Sequence, residues 1–190
     1  AKNNITSAIK QKSLSGKTLM AHQKEFVYKF VENDFNIVNS LFIGGGKTFS
    51  SLVAASLLGV KLVLILPPSL MDNWKAELED TKIGGEIYSH AKIPEFIDGE
   101  FVLVCDECHL YQSPTSLRSK AMLNLALSPN CVGTIMITGT LYRNAQPRNA
   151  LAPLKAIKHE VAKDSTNYFL KYCDAKATKW SKFDTSGSSN

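Results

Sequence analysis

The sequence predicts an α/β domain built on a central parallel sheet with helices on both faces. Three observations carry this. Nearly continuous apolar runs of strand length alternate with segments of helical apolar spacing, the pattern left by parallel strands joined through crossover helices. One apolar run stops on Gly44-Gly45-Gly46-Lys47-Thr48. Another, Phe101-Val102-Leu103-Val104-Cys105, leads straight into Asp106-Glu107, and the carboxyl ends of buried strands are where open α/β sheets hold ligands.

In chain order, residues 1–17 are polar with little apolar periodicity and are expected to form an N-terminal arm, either loosely held or folded as a short leading helix. Leu19, Phe26, Val27, Phe30 and Val31 recur at helical spacing and predict a helix from Leu19 to Val31, with Gln23 near its start. Such a glutamine is by default a solvated helix residue; its functional reading is a hydrogen bond to an adenine edge. The β-branched and apolar residues from Ile37 to Ile43 predict a buried strand, and Phe49 to Ala55 a helix. The glycines between them fit a phosphate cradle. Glycine lets backbone N–H groups turn inward without a Cβ clash, and the helix N-terminus adds partial positive charge. There Lys47 would reach the β- and γ-phosphates of a nucleotide, and the Thr48 hydroxyl would ligate Mg²⁺. The strict phosphate-loop spacing asks for a further glycine where Leu41 stands, so the motif alone leaves a plain flexible turn open.

Lys61 to Leu66 reads as a central parallel strand ended by Pro67-Pro68, and Ser69 as the N-cap of a helix that places Leu70, Trp74 and Leu78 on one face. Gly84-Gly85 then turns the chain into a short strand ending at Ser89. At the end of the strand Phe101–Cys105, Asp106 would hold Mg²⁺ through water, and Glu107 would orient or deprotonate an attacking water. The bland reading is a strand followed by a polar turn. Ser116 to Leu127 predicts a helix, and Gly133 to Ile137 a fifth apolar strand ending in Thr138-Gly139-Thr140. Those hydroxyls would sense a γ-phosphate through Asp106 or His109, or else form an ordinary turn. Helical pattern returns at Asn149–Ile157, despite Pro153, and at Thr166–Tyr172, before a linker-like tail over 185–190.

Composition bounds what this site belongs to. The 190 residues, 44% hydrophobic and 21% charged, suffice for one well-buried domain. A net charge of +5, from 22 basic and 17 acidic residues, leans modestly towards a polyanionic partner. The polar start Ala1-Lys2-Asn3-Asn4 lacks the pattern of a signal peptide, so the four cysteines are expected to be reduced thiols in an intracellular setting, cytoplasm or nucleus, or a host cell for a viral chain. Cys105 and Cys108 make a C-x-x-C with no second pair at ligand spacing, which points to packing rather than zinc. The longest apolar stretch, Leu52 to Leu66, is interrupted by Ser56, Gly59 and Lys61, so no membrane partner is expected.

Taken together, Gln23, Gly44-Gly45-Gly46-Lys47-Thr48, Leu66-Pro67-Pro68-Ser69-Leu70 with Trp74 and Glu77, Asp106-Glu107-Cys108-His109 and Thr138-Gly139-Thr140 resemble the N-terminal motor lobe of superfamily-two helicases, of the DEAD/DEAH-like P-loop kind. The resemblance sharpens to Swi/Snf-type double-stranded DNA translocases at Pro68-Ser69-Leu70, Trp74 and Glu77, at Ser116-Leu117-Arg118-Ser119-Lys120 and at Asn144. The tail from Tyr168 to Lys176, with Trp180 and Gly187-Ser188-Ser189-Asn190, is similar to the annealing-helicase branch. Two departures stand out: Leu41-Phe42-Ile43 where the family carries acids before the glycines, and Leu141 where it carries proline.

The resemblance implies a RecA-like three-layer ATP-binding lobe over 18–160, with 1–17 as arm and 161–190 as a helix and linker towards a second RecA-like lobe, on the same or a separate chain. It implies ATP and Mg²⁺ as ligands, held by Gln23, Gly44, Gly45, Gly46, Lys47, Thr48, Asp106, Glu107, His109, Thr138 and Thr140. It implies double-stranded or branched DNA as partner, with backbone phosphates met by Pro68, Ser69, Ser89, His90 and Arg143. Because the second lobe of this family supplies the arginine finger, the chain alone is expected to turn ATP over weakly or not at all. Two other readings stay open: a single-lobe binding or regulatory module with a vestigial nucleotide site, and a P-loop kinase, for which the sequence offers no lid-like arginine cluster.

Overall fold

The computed structural model describes residues 13–14, 16–139, 146–173 and 175. The described residues begin with two short antiparallel strands, β1 (Ser13–Leu14) and β2 (Lys17–Thr18), with Gly16 between them at φ +72°. Helix α1 (Ala21–Glu32) leads to strand β3 (Asn36–Asn39), then helix α2 (Lys47–Ser56), strand β4 (Lys61–Leu66), helix α3 (Met71–Thr81) and strand β5 (Glu86–Ser89). Strand β6 (Phe101–Cys105), helix α4 (Leu117–Ala126), strand β7 (Cys131–Ile137), helix α5 (Leu151–Ala156) and helix α6 (Ser165–Tyr172) follow.

Strands β3 to β7 form a five-stranded sheet in the order β3-β7-β6-β4-β5, with every neighbouring pair parallel. The period-two alternation of side chains sorts its strands between two cores. Leu62, Leu64 and Leu66 of β4, with Val102, Val104, Ile135 and Ile137, pack under Phe26, Phe30, Leu52, Val53, Trp74 and Leu78 of α1, α2 and α3. Val63, Ile65, Phe101, Leu103 and Cys105 face the other way, onto Met122, Leu125 and Ala126 of α4 and Ala152 and Ala156 of α5. Burial on both faces is why these strands read as unbroken apolar runs. The domain is thus a RecA-like α/β fold of three layers, and all five strands end on one rim.

Several boundaries differ from the sequence expectation, each for a local reason. The arm is neither loose nor helical at its described end: Lys17 pairs with Glu77 at 3.3 Å and Asp80 at 2.7 Å on α3. The strand expected to reach Ile43 stops at Asn39, and Phe42 and Ile43 stand 64% and 91% exposed. Ser69 is not a helix cap. The fixed φ of two successive prolines favours a tight 3₁₀ turn over Pro68–Leu70, closed by Leu70 N–H on Pro67 O at 3.0 Å, and α3 starts only at Met71. At the other end of the chain, Pro147–Ala150 is a 3₁₀ turn before α5, and Pro153 falls within the first turn, where its missing N–H has no intrahelical acceptor to lose. Helix α6, capped by the Asp164 carboxylate on Thr166 and Asn167 N–H, packs Tyr168 and Cys173 onto Leu151 and Leu154.

Candidate functional site

The glycine turn is built from its neighbours inward. Asn39, fully buried at the end of β3, donates to Ser51 Oγ at 2.9 Å and to Ser50 Oγ and Lys47 O at 3.3 Å, while its Oδ1 accepts from Leu41 N–H. This one carboxamide pins both ends of the loop to α2. Gln23, from α1, closes the third side: its Oε1 accepts from Met20 N–H at 2.9 Å and its Nε2 donates to Gly45 O at 3.1 Å, with a His22 ring nitrogen on the same carbonyl at 3.1 Å. Gln23 is therefore buried and bonded to the loop, not solvated as a bare helix reading expects.

Inside that frame the glycines are required. Gly44 and Gly46 lie at φ +80° and +70°, in the left-handed region that side-chain-bearing residues rarely adopt. A Cβ on Gly45 would sit 2.9 Å from Phe42 O, and one on Gly46 would run into the Gln23 amide. The result is a glycine turn, closed by Gly45 N–H on Phe42 O at 2.9 Å, that leads into the N-terminus of α2, where Lys47, Thr48 and the first-turn N–H groups stand. That donor set fits a phosphate group. The Lys47 ammonium donates to Leu41 O at 2.9 Å and Phe42 O at 3.3 Å, which folds it over its own loop.

Strand β7 lies between β3 and β6, so the residue that follows it separates the loop from the acids. That residue is Thr138, buried, with its N–H on Asn39 O at 3.2 Å. Its Oγ1 is 3.3 Å from His109 Nδ1, and the same nitrogen is 2.9 Å from Glu107 Oε2. Glu107 itself takes φ +53°, a left-handed conformation that lets the 3₁₀ turn Cys108–Leu110 begin directly after the acidic pair. Asp106 is buried. Its Oδ2 accepts from Trp74 Nε1 at 2.9 Å and its Oδ1 from Glu107 N–H at 2.8 Å. Burial holds its carboxyl above the usual carboxylate range, against the pull of the Trp74 and Glu107 donors, while Glu107's charge pushes it further up and Lys47's draws it down. The structure thus places Thr138 at the end of β7, Asp106, Glu107 and His109 just after β6, and Lys47 and Thr48 at the start of the helix that follows β3, the three strands being neighbours in the sheet.

The residues expected to meet DNA lie further along the same rim. Pro68 and Ser69 are exposed on the turn after β4, and Ser89 ends β5 opposite Leu66. His90 is different. It is buried, with Nδ1 2.6 Å from the Tyr111 hydroxyl, and burial pushes its pKa down to about 4, so the ring is neutral near pH 7 and turned into the protein instead of towards a phosphate. Thr140, Arg143, Asn144 and Trp180 lie outside the described residues. Cys105 and Cys108 are buried free thiols whose ionisation burial suppresses, and among the described residues no cluster of three or more His, Cys, Asp or Glu is placed to hold a metal, nor is any helix long and apolar enough to cross a membrane.

No protein-family model and no curated protein matches the sequence. Solved structures do. The chain is similar to the Sulfolobus solfataricus SWI2/SNF2 ATPase core in complex with dsDNA, at a TM-score of 0.69 and 18% identity over 82% of this chain and 39% of that one. The fold is shared with that core. The SWI2/SNF2 ATPase core domain of the same organism superposes with a TM-score of 0.66 at 16% identity, over 83% of this chain and 38% of that one. The chain therefore spans about two fifths of the length of either core.

Sequence reasoning did not find Asn39 or the tie between Gln23 and Gly45. A signal for the first exists: an asparagine after the apolar Ile37-Val38, followed by Ser50-Ser51 beside the apolar run Leu52–Ala55, marks polar groups that burial forces together. Nothing local marked the second.

Proposed function

We propose that this chain is the first ATP-binding lobe of a two-lobe, DNA-dependent motor of the Swi/Snf type. The observation that carries the reading is the convergence, on one rim of a fold shared with a SWI2/SNF2 ATPase core, of a glycine cradle with a lysine in the first helical turn and a buried aspartate two strands away. In this reading the cradle N–H groups and Lys47 bind the phosphates of ATP, and Thr48 and Asp106 hold Mg²⁺, which when bound neutralises phosphate charge. Glu107 accepts a proton from, or orients, the attacking water, with His109 fixing its carboxylate. Thr138 stands where a change at the phosphates would reach both His109 and the loop strand.

DNA is the proposed partner, since one of the similar cores is a complex with dsDNA. Ser69 and Ser89 offer hydroxyl donors to phosphates, with Pro68, which has no N–H to give, as a contact on the same turn, a sequence-independent and salt-sensitive mode; Arg143 is proposed alongside them. His90 would act there only through its backbone. A second lobe, on this or another chain, is proposed to complete the hydrolytic site, so that the lobe alone binds nucleotide and turns it over slowly or not at all.

One observation favours a second reading. The Lys47 ammonium is held by its own loop carbonyls, and an exposed Phe42-Ile43 tip sits beside it, as in a binding module whose nucleotide site is vestigial. Calorimetry with Mg·ATP on the chain and on Lys47→Ala, with DNA-stimulated hydrolysis followed in the same samples, separates the two. Binding that the substitution abolishes, with negligible turnover, supports the motor lobe; absence of binding supports the module.

A further inference from the structure

Trp74 is a motif residue that the reading above leaves without a task. It sits in the first turns of α3, fully buried, and its indole N–H reaches Asp106 Oδ2 at 2.9 Å across 32 positions of sequence. The other restraint on that carboxylate, Glu107 N–H on Oδ1, belongs to the next residue and travels with it. Trp74 is thus the long-range contact that fixes which way the carboxylate turns. Each carboxylate oxygen has two acceptor directions, so a single donor on each leaves one direction per oxygen for a further ligand. An indole has few rotatable bonds, and this one is packed among Leu64, Leu66, Val104 and Leu78 in a single core, so it cannot swing aside without opening that core.

We propose that Trp74 is a positioning residue that aims the Asp106 carboxylate at the metal, and that through it the carboxylate is mechanically tied to the helix starting on the exposed Pro68–Leu70 turn. This rests on the assignment of Asp106 as the Mg²⁺ carboxylate. Partners that orient metal ligands typically account for about 10- to 100-fold in metal affinity. The surface turn and the buried carboxylate stand at opposite ends of one short rigid link, so a load on the turn changes the aim of the carboxylate.

The test uses Mg²⁺-dependent ATP binding and the indole N–H resonance, which reports the hydrogen bond without turnover. The chain has two tryptophans, Trp74 and Trp180, so a Trp180→Phe background leaves one indole signal. In that background Asp106→Asn and Mg·ATP should each shift the Trp74 indole signal, a result that does not depend on any change at Trp74. Trp74→Phe should raise the Mg²⁺ concentration for half-maximal ATP binding by about tenfold or more, while ATP binding without metal stays within about twofold. An indole signal indifferent to both Asp106→Asn and Mg·ATP overturns the inference, as does an unchanged Mg²⁺ requirement in a folded Trp74→Phe protein. If Asp106→Asn itself leaves the Mg²⁺ requirement unchanged, the metal assignment falls first.

Discussion

The Asn39 side-chain amide donates to Ser51 Oγ at 2.9 Å, joining the end of the loop strand to the second turn of the helix after it. Because the same amide also reaches Ser50 Oγ and Lys47 O, Asn39→Ala leaves buried polar atoms without their donor. Such a loss costs about 2 kcal/mol. Urea unfolding should show it, and ATP affinity should fall with it because the loop loses its anchor. Asn39→Leu, which keeps the branched shape but is bulkier and donates nothing, should be no better.

The three glycines are expected to differ. A Cβ at Gly44 meets open space, so Gly44→Ala carries only the left-handed backbone strain, about 1–2 kcal/mol. Gly45→Ala must displace the Phe42 carbonyl, and Gly46→Ala must expel the Gln23 amide that holds Gly45 O. Phosphate binding should therefore survive, weakened, in Gly44→Ala and be lost in the other two. Equal effects at all three positions would mean that backbone flexibility, and not the shape of the cradle, is what matters. Calorimetry with ATP distinguishes these outcomes.

The sheet and its helices were legible because burial on both faces writes strands as unbroken apolar runs, and Leu62 to Leu66 or Val102 to Cys105 can hardly be anything else. The acidic pair and the glycine turn were legible because their chemistry needs particular residue types at strand ends. What stayed hidden was set by contacts distant in sequence. The end of β3 is decided by what Asn39 finds on α2, the start of α3 by paired prolines that override a good N-cap serine, and the burial of His90 by Tyr111. Apolar Phe42 and Ile43 extend the strand pattern by eye, yet they lie beyond the point where the chain must leave the sheet.

His90 should make the fold acid-sensitive. Its pKa falls from 6.5 to about 4, first because burial disfavours the imidazolium, with the Arg118 and His109 charges adding to that and the Asp106 backbone opposing it. The unfolded chain then binds a proton that the folded chain refuses, so the stability contributed by neutral His90 is present above pH 6.5 and is lost as pH falls towards 4. The full loss is on the order of 3 kcal/mol. Urea unfolding of the wild type between pH 7 and 4 should show this slope, and His90→Gln, which keeps a partner for Tyr111 and does not titrate, should flatten it. An unchanged slope in His90→Gln would assign the acid sensitivity elsewhere.

Asp106 has the opposite sign. Burial raises its folded carboxyl above its ordinary value of 3.8, outweighing the Trp74 and Glu107 hydrogen bonds and the nearby Lys47 charge, with Glu107's charge on the side of burial. The folded state keeps this proton to higher pH than the unfolded chain does, so the contribution is complete below pH 3.8 and is lost as pH rises through the raised value. Asn cannot titrate, and its changed hydrogen bonds to Trp74 and Glu107 add an offset that does not vary with pH. The stability of Asp106→Asn relative to wild type, measured by urea unfolding without added metal, should therefore climb from acid towards neutral pH and then level off. In the Trp74→Phe background the climb should extend to higher pH, because a donor that holds the carboxyl down is gone. A difference that stays flat across this range would show that the folded protein holds Asp106 ionised as readily as water does, and that burial does not raise its carboxyl.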